Sequence, residues 1–200
     1  MTATLVPKCA VLRDESGRAL HAPADRWFAA VEPADERALA DVRGPVIDIG
    51  CGPGRHVLAL TERGIPTLGI DITDRALFHA RARNVPVLSR CVFDPLPGVG
   101  RWRSALLLDG NLGIGGNPLL LLQRVREILA PGGEVLVEIN PPGQAVERRR
   151  VRFEIDDTIG PWFDWASVDH DGLPAVAVAA GLTIRRAWCD EARWFAWLGR

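Results

Sequence analysis

The segment Val46-Ile47-Asp48-Ile49-Gly50-Cys51-Gly52-Pro53-Gly54-Arg55 starts as a short, mainly apolar run and ends in glycines at alternate positions. An apolar run that stops abruptly in glycine reads as a buried strand entering a tight turn. Alternate glycines let the backbone bend sharply and approach a ligand with no Cβ in the way. Asp71 stands 21 residues past Gly50, at the predicted end of the next strand, where a carboxylate can accept from both hydroxyls of a ribose. Taken singly, the turn is a plain strand-to-helix connection and Asp71 a helix cap; at this spacing the two read as a site for a nucleoside-containing cofactor. A dinucleotide site uses GxGxxG to bring a pyrophosphate to a helix N-terminus, but here Gly54 is the fourth residue after Gly50 and Arg55 the fifth. Asp48 would repel a pyrophosphate and could pair, directly or through water, with an ammonium group. An amino-acid nucleoside is therefore expected in preference to NAD.

Outward from this segment, helix and strand signals alternate. Residues 55–63 carry Val57, Leu58 and Leu60 and stop at Gly64; 66–70 read as a second strand. Thr73 or Asp74 caps a helix to about Arg83, followed by a strand at 85–88. A strand at 104–108 precedes Asn117-Pro118, an N-cap and first-turn proline for a helix bearing Leu122, Val125 and Ile128. Pro131-Gly132-Gly133 should end that helix, and 134–139 is another strand. This alternation predicts a doubly wound α/β sheet. In the tail, 151–155 and 162–168 read as a two-stranded excursion, then a helix from Asp171 or Gly172 to Ala180, then an antiparallel hairpin from 182–188 and 194–198. Upstream, 25–31 and 34–42 fit short helices packed across the strand ends. The expectation is one domain over residues 1–200, with 148–168 as a lid-like insertion.

Composition bounds the function. With 48% hydrophobic and 24% charged residues and a net charge of −1, the chain can build a continuous core and implies no nucleic-acid partner. The one basic run, Arg148 to Arg150 with Arg152, is either a solvated face or an attractor for an anionic substrate. No apolar stretch is long enough to cross a bilayer, and 1–10 lacks a signal-peptide pattern, so no membrane partner and a cytoplasmic location are expected. Cys9, Cys51, Cys91 and Cys189 form no CxxC pair; no metal site is expected, and the thiols should be reduced and mostly buried. One lysine against 23 arginines suggests a GC-rich bacterial gene.

Asp48, Gly50, Gly52 and Gly54 meet the acid-x-Gly-x-Gly-x-Gly pattern, and the segment resembles motif I of the class I S-adenosylmethionine-dependent methyltransferases. The resemblance covers roughly 45–140. Gly69-Ile70-Asp71 is similar to the family's second acidic motif, Val92-Phe93-Asp94-Pro95-Leu96-Pro97 to its third acidic loop, and Leu129-Ala130-Pro131-Gly132-Gly133-Glu134 to the helix exit before its fifth strand. The closing hairpin fits the sixth and the antiparallel seventh strands. The resemblance implies a mostly parallel, Rossmann-like sheet of seven strands, with S-adenosyl-L-methionine as cofactor and S-adenosyl-L-homocysteine as product. It implies ribose binding by Asp71, adenine packing by Ile72 and an adenine-amino contact from Asp94. It also turns the glycine-rich loop 109–118 toward the methionine half of the cofactor, where Asp109 or Asn111 would contact the cofactor or substrate; the other reading of Asp109 is a turn cap.

Methyl transfer to a small-molecule acceptor is the expected activity, and its oligomeric state is left open. His170, flanked by Asp169 and Asp171, is the candidate general base, its alternative being an exposed residue before a helix. His56 should pack or point away, and His21 and His79 lack supporting context. Trp27, Trp162 and Trp165 could form an aromatic lid or simply pack. Asn140-Pro141-Pro142 follows the wrong strand for an amino-group methyltransferase loop and reads as a rigid exit. The alternatives are a cyclase, isomerase or binding protein using the same cofactor without transfer, and a tRNA or protein methyltransferase.

Overall fold

The computed structural model describes residues 10–20, 24–143, 145–155 and 158–200. It begins with strands β1 (Ala10–Asp14) and β2 (Ala19–Leu20) and short helices α1 (Ala24–Phe28) and α2 (Pro33–Ala38). The alternating region follows: β3 (Val46–Ile49), α3 (Arg55–Glu62), β4 (Thr67–Asp71), α4 (Asp74–Ala82), β5 (Val87–Ser89), β6 (Trp102–Leu107), α5 (Pro118–Ile128) and β7 (Leu129–Ile139). The tail contributes β8 (Val146–Ile155), β9 (Thr158–Ile159), β10 (Phe163–Val168), α6 (Leu173–Ala179), β11 (Thr183–Asp190) and β12 (Arg193–Gly199).

Seven strands form the main sheet in the order β11-β12-β7-β6-β3-β4-β5. β3, β4, β5, β6 and β7 are parallel, and β12 runs antiparallel between β7 and β11. This is the doubly wound sheet expected from the alternation, with the C-terminal hairpin at one edge. Winding reverses between β3 and β6, and the crevice at such a switch point is where open α/β sheets bind ligands. All of β3 is buried, as a central parallel strand should be. Ile47, Ile49, Leu107, Leu121 and Val125 fill one face of the sheet; Val46, Leu60, Leu106, Leu136 and Phe195 fill the other.

Several expectations change. Ala38 of α2 and the adjoining Leu39 join the second of those clusters, so α2 packs on a sheet face rather than only across the strand ends. β7 starts at Leu129, because Trp102 pairs with Leu129 before a register shift brings Ser104 to Glu134; the Pro-Gly-Gly is an irregularity inside the strand rather than the helix stop. Residues 148–168 also pair with a strand outside the segment. These residues are not a self-contained excursion: β8 pairs on one side with β10 and on the other with β1, giving a second, five-stranded sheet ordered β10-β8-β1-β2 with β9 on β8. Among the described cysteines Cys51 is buried, Cys91 is partly exposed and Cys189 is exposed; Cys9 and His21 lie outside the described residues. No helix among the described residues is long and apolar enough to cross a membrane.

Candidate functional site

The turn after β3 is held from below: Gly50 and Cys51 N–H donate to the Ile70 carbonyl at 2.8 and 3.1 Å. Gly50, Gly52 and Gly54 have φ of 72°, 54° and 83°, which disfavours any residue with a Cβ. Their surroundings differ. A Cβ on Gly50 would lie 2.7 Å from Asn111 Nδ2 and one on Gly54 2.8 Å from Val85, whereas one on Gly52 would meet nothing within 4 Å. Gly50 and Gly54 are thus packing glycines, and Gly52 is the open side of the turn. Asp71, at the end of β4, accepts from the Gly52 N–H at 2.8 Å and the Thr73 N–H at 2.7 Å. A carboxylate offers about four lone-pair sites, so acceptor capacity remains for ribose hydroxyls.

Ile72, next to Asp71, is 72% exposed, and Phe93, whose ring would lie 3.0 Å from a Cβ on Gly115 in the loop after β6, is 45% exposed. Asp94 is exposed on a loop clamped by Arg124, which donates to the Val92 and Asp94 carbonyls at 3.0 and 2.9 Å. Asn111, in a single 3-10 turn (Asn111–Gly113), gives both Nδ2 hydrogens to the turn, at 2.9 Å from the Ile49 and Gly50 carbonyls. Its amide is therefore committed to holding the turn.

Beneath and beside the turn lies a buried ion network that sequence reading missed. Arg55, the first residue of α3 and 3% exposed, bonds Asp35 of α2 and both carboxylate oxygens of Asp109 at 2.9 and 3.0 Å. Arg26 of α1 reaches Asp109 at 2.9 Å, and Arg193 of β12 binds Asp35 at 2.7 Å and Glu138 of β7 at 2.8 Å. Glu138 in turn accepts from the Asp109 N–H at 2.8 Å. His56 is buried between Asp35, 3.5 Å away, and Asp48, 3.8 Å away. Asp109 is a member of this network: burial would raise its pKa, but His56, Arg55 and Arg26 outweigh that and hold it below the ordinary carboxylate value. His56, expected merely to pack, is part of it too. Two signals were visible in the sequence: Arg55 directly after the glycines, and Glu138 inside the apolar run Val135-Leu136-Val137-Glu138-Ile139.

Three successive residues of α1 tie it across the strand ends. Arg26 reaches Asp109, the Trp27 ring meets Phe153 of β8 edge-on at 5.9 Å, and Phe28 meets His79 of α4 at 5.1 Å. The second sheet turns an aromatic face toward this helix, with Phe153, Phe163 and Trp165 packed in sequence. Trp162 instead lies under Arg152 at 4.8 Å. The glycine-rich loop after β6 docks this sheet: a Cβ on Gly113 would overlap the Ala166 carbonyl oxygen, one on Gly116 would lie 2.8 Å from Asp164, and Ile114 bridges Trp165. These glycines serve chain-to-chain approach.

Two cavities of about 360 Å³ each flank the sheet, one lined by Gly115, Gly116, Arg149 and Trp165, the other by Asn140, Pro141, Glu147 and Ser167. The Arg149–Glu147 ion pair joins their walls. His170 lies past the end of β7, 43% exposed, 3.2 Å from Asp171 and with its ring 5.0 Å from Trp194. Asp169 points elsewhere, accepting the Gly143, Ala145, Asp171 and Gly172 N–H groups and fastening the start of α6. The structure thus gathers Asp48, Gly50, Gly52, Gly54, Asp71, Asn111 and Asp109 at the switch point, sets Ile72 and Asp94 on its rim, and places His170 at the exit of β7.

No protein-family model matches the chain. An uncharacterized protein of Mycobacterium tuberculosis is 32% identical over 122 residues, which are 60% of this chain and 41% of that protein, so the chain matches about two fifths of that relative's length. A Bacteroides fragilis S-adenosylmethionine-dependent methyltransferase, solved with S-adenosyl-L-homocysteine, superposes with a TM-score of 0.81 at 23% identity, over 96% of this chain and 87% of that one. The 1,6-didemethyltoxoflavin-N1-methyltransferase of Burkholderia thailandensis, solved with 1,6-didemethyltoxoflavin and S-adenosylhomocysteine, gives a TM-score of 0.62 at 16% identity, over 84% of this chain and 75% of that one.

Proposed function

We propose that this chain, which has the fold of the class I S-adenosylmethionine-dependent methyltransferases, binds S-adenosylmethionine at the turn after β3 and moves its methyl group to a small-molecule acceptor under the second sheet. The observation that carries the reading is the open side of the turn at Gly52, with the Asp71 carboxylate fixed beside it at the switch point. The residues fit the cofactor: Asp71 has acceptor capacity for ribose hydroxyls, Ile72 and Phe93 offer uncovered apolar surface for the adenine, and Asp94 stands by for its amino group. Asp48 keeps one carboxylate oxygen unpartnered beneath the turn. When bound, S-adenosylmethionine supplies an electrophilic methyl on a sulfonium, open to in-line displacement.

The protein's part is then mainly to position and to exclude water. Asn111 and Arg55 hold the turn and the end of β6, so Asp109 acts as a positioning residue. His170, oriented by Asp171, is the candidate base for an acceptor that must lose a proton. The small substrate of the Burkholderia thailandensis neighbour supports a small acceptor.

The test is ligand binding. S-adenosylmethionine and S-adenosylhomocysteine at about a hundred times their dissociation constants should stabilise the protein by about 2.7 kcal/mol, with a matching rise in melting temperature, and NAD at the same concentration should leave it unmoved. Equal stabilisation by NAD would overturn the assignment. Asp71→Ala should weaken S-adenosylhomocysteine binding by about 1.5 to 3 kcal/mol, the scale of hydrogen bonds to a charged acceptor. An unchanged dissociation constant in calorimetry would remove Asp71 from the site.

A further inference from the structure

Four buried side-chain atoms of the ion network lack a hydrogen-bond partner, the Nε groups of Arg26 and Arg55 and two atoms of the Asp48–His56 pair, of which His56 Nε2 still lies 3.5 Å from Asp35. Asp48 Oδ2 and His56 Nε2 are shut from solvent without a hydrogen-bond partner, and Asp48 Oδ2 lies 3.8 Å from His56 Nδ1. The remainder of the network is charge-matched, Arg26, Arg55 and Arg193 against Asp35, Asp109 and Glu138. Counted with Asp48, these side chains carry −1 when its carboxylate is ionised and zero when it is protonated, and Asp71 adds a further negative charge beside them. An uncompensated buried charge is costly, so the protein alone favours the protonated pair. Burial pushes the Asp48 carboxyl up to about 6; Asp109 and Asp71 act in the same direction, and His56 and Arg55 oppose them. The charged groups facing the pair are Arg55 on α3, Asp35 from α2, Asp109 from the end of β6 and Asp71 from the end of β4. Arg26, Arg193 and Glu138 lie one contact further out.

We propose that the Asp48–His56 pair is a proton-linked charge sensor beneath the cofactor turn, which distinguishes the cationic cofactor from its uncharged product by exchanging a proton with solvent. This rests on the cofactor reading above. S-adenosylmethionine carries a carboxylate, an ammonium and a sulfonium, net +1; S-adenosylhomocysteine keeps the first two and is neutral overall. In the transfer, an acceptor lone pair forms the new bond to the methyl carbon, and the C–S electrons return to sulfur. The positive charge brought by the cofactor stands in for the proton on the pair, which leaves for solvent. Once the methyl has gone, that compensation falls and the pair takes a proton back. No hydrogen bond from Asp48 to the ligand is needed, since a charge acts over several ångströms inside a low-dielectric interior. The two residues are thus specificity-determining for substrate form over product form of one ligand.

Titration calorimetry of the whole chain with S-adenosylmethionine and with S-adenosylhomocysteine, in buffers of contrasting ionisation enthalpy, counts the protons exchanged. At pH 6.0 the cofactor should release about 0.4 proton, and at pH 7.0 under about 0.1, as expected for an Asp48 carboxyl pushed up to about 6. The product should release less than half as much at pH 6.0. Asp48→Asn should abolish the difference between the two ligands, and His56→Gln provides an independent second variant. Equal release for both ligands, or a difference that survives in either folded variant, overturns the sensor. Failure of both ligands to bind the unaltered protein is a separate result, and it overturns the cofactor reading and the sensor together.

Discussion

Replacing Asp35 by alanine is expected to lower the unfolding free energy by about 3 to 5 kcal/mol, the cost of removing one partner from a buried ion cluster. Asp35 is fully buried, accepts from Arg55 and Arg193, and takes the Glu32 N–H at 2.9 Å. Its loss removes the counter-charge shared by Arg55 and Arg193 and leaves them their hydrogen bonds to Asp109 and Glu138. Burial by itself would raise the pKa of Asp35, but His56, Arg55 and the Glu32 amide hold it far below the usual carboxylate range. Because the folded value is depressed, this contribution is complete above the unfolded pKa of about 3.9 and is lost only as pH falls through the folded value. Urea unfolding of wild type and variant at pH 7 therefore compares them where Asp35 does not titrate. A midpoint shift worth less than about 1 kcal/mol, at equal slope, would show that the network is not what ties α2 to the sheet.

Gly113→Ala should separate chemistry from cofactor binding. Gly113 lacks a positive φ, so alanine suits the backbone; the conflict is with the Ala166 carbonyl oxygen, a backbone atom that no rotamer change can move. Relief requires β10 to shift away from the loop after β6. The expected cost is about 1 to 3 kcal/mol of stability, as for other overpacked sites. Turnover should fall about 100-fold or more, the scale of a misplacement near 1 Å. The affinity for S-adenosylhomocysteine should stay within about threefold, or roughly 0.7 kcal/mol, because relief moves β10 while Asn111 of the same loop keeps its bonds to the glycine turn. A product assay beside calorimetry on one folded variant reads both quantities. Unchanged turnover would mean that the second sheet is not the acceptor's cover; collapse of cofactor binding would mean that turn and cover act as one unit.

What could be read from the sequence was local. The turn from Gly50 to Gly54, the Asn117 cap with its Pro118, and the alternation of strands and helices along the chain follow from residues within a few positions of one another, where periodicity and turn chemistry act. The second sheet was half read, because β8 and β10 are neighbours in the chain, while β1 and β2 were missed: β1 pairs with β8 more than a hundred positions away, and β2 joins the sheet only through β1. The pairings within the ion network were hidden for the same reason. Arg26, Asp35, Asp109, Glu138 and Arg193 meet only when helices, strand ends and hairpin are all in place. Glu138 showed itself as a lone acid in an apolar strand, but nothing local to it named its partners.

The placement of β1 inside the second sheet also sets an order of events during synthesis. Its Ala10 pairs with Ile155 and its Asp14 with Val151, so β1 waits for more than 130 residues to emerge, about 7 to 30 seconds at ribosomal speeds of about 5 to 20 residues per second. Until then it has only the two-residue strand β2 for company, and such a hairpin is marginal in water. Leu12, buried in the finished protein, stays on an unguarded strand edge through that interval, the part of the nascent chain most open to pairing with another copy. By then β3 to β7 have emerged, so the nucleoside half of the molecule can be complete before its cover exists.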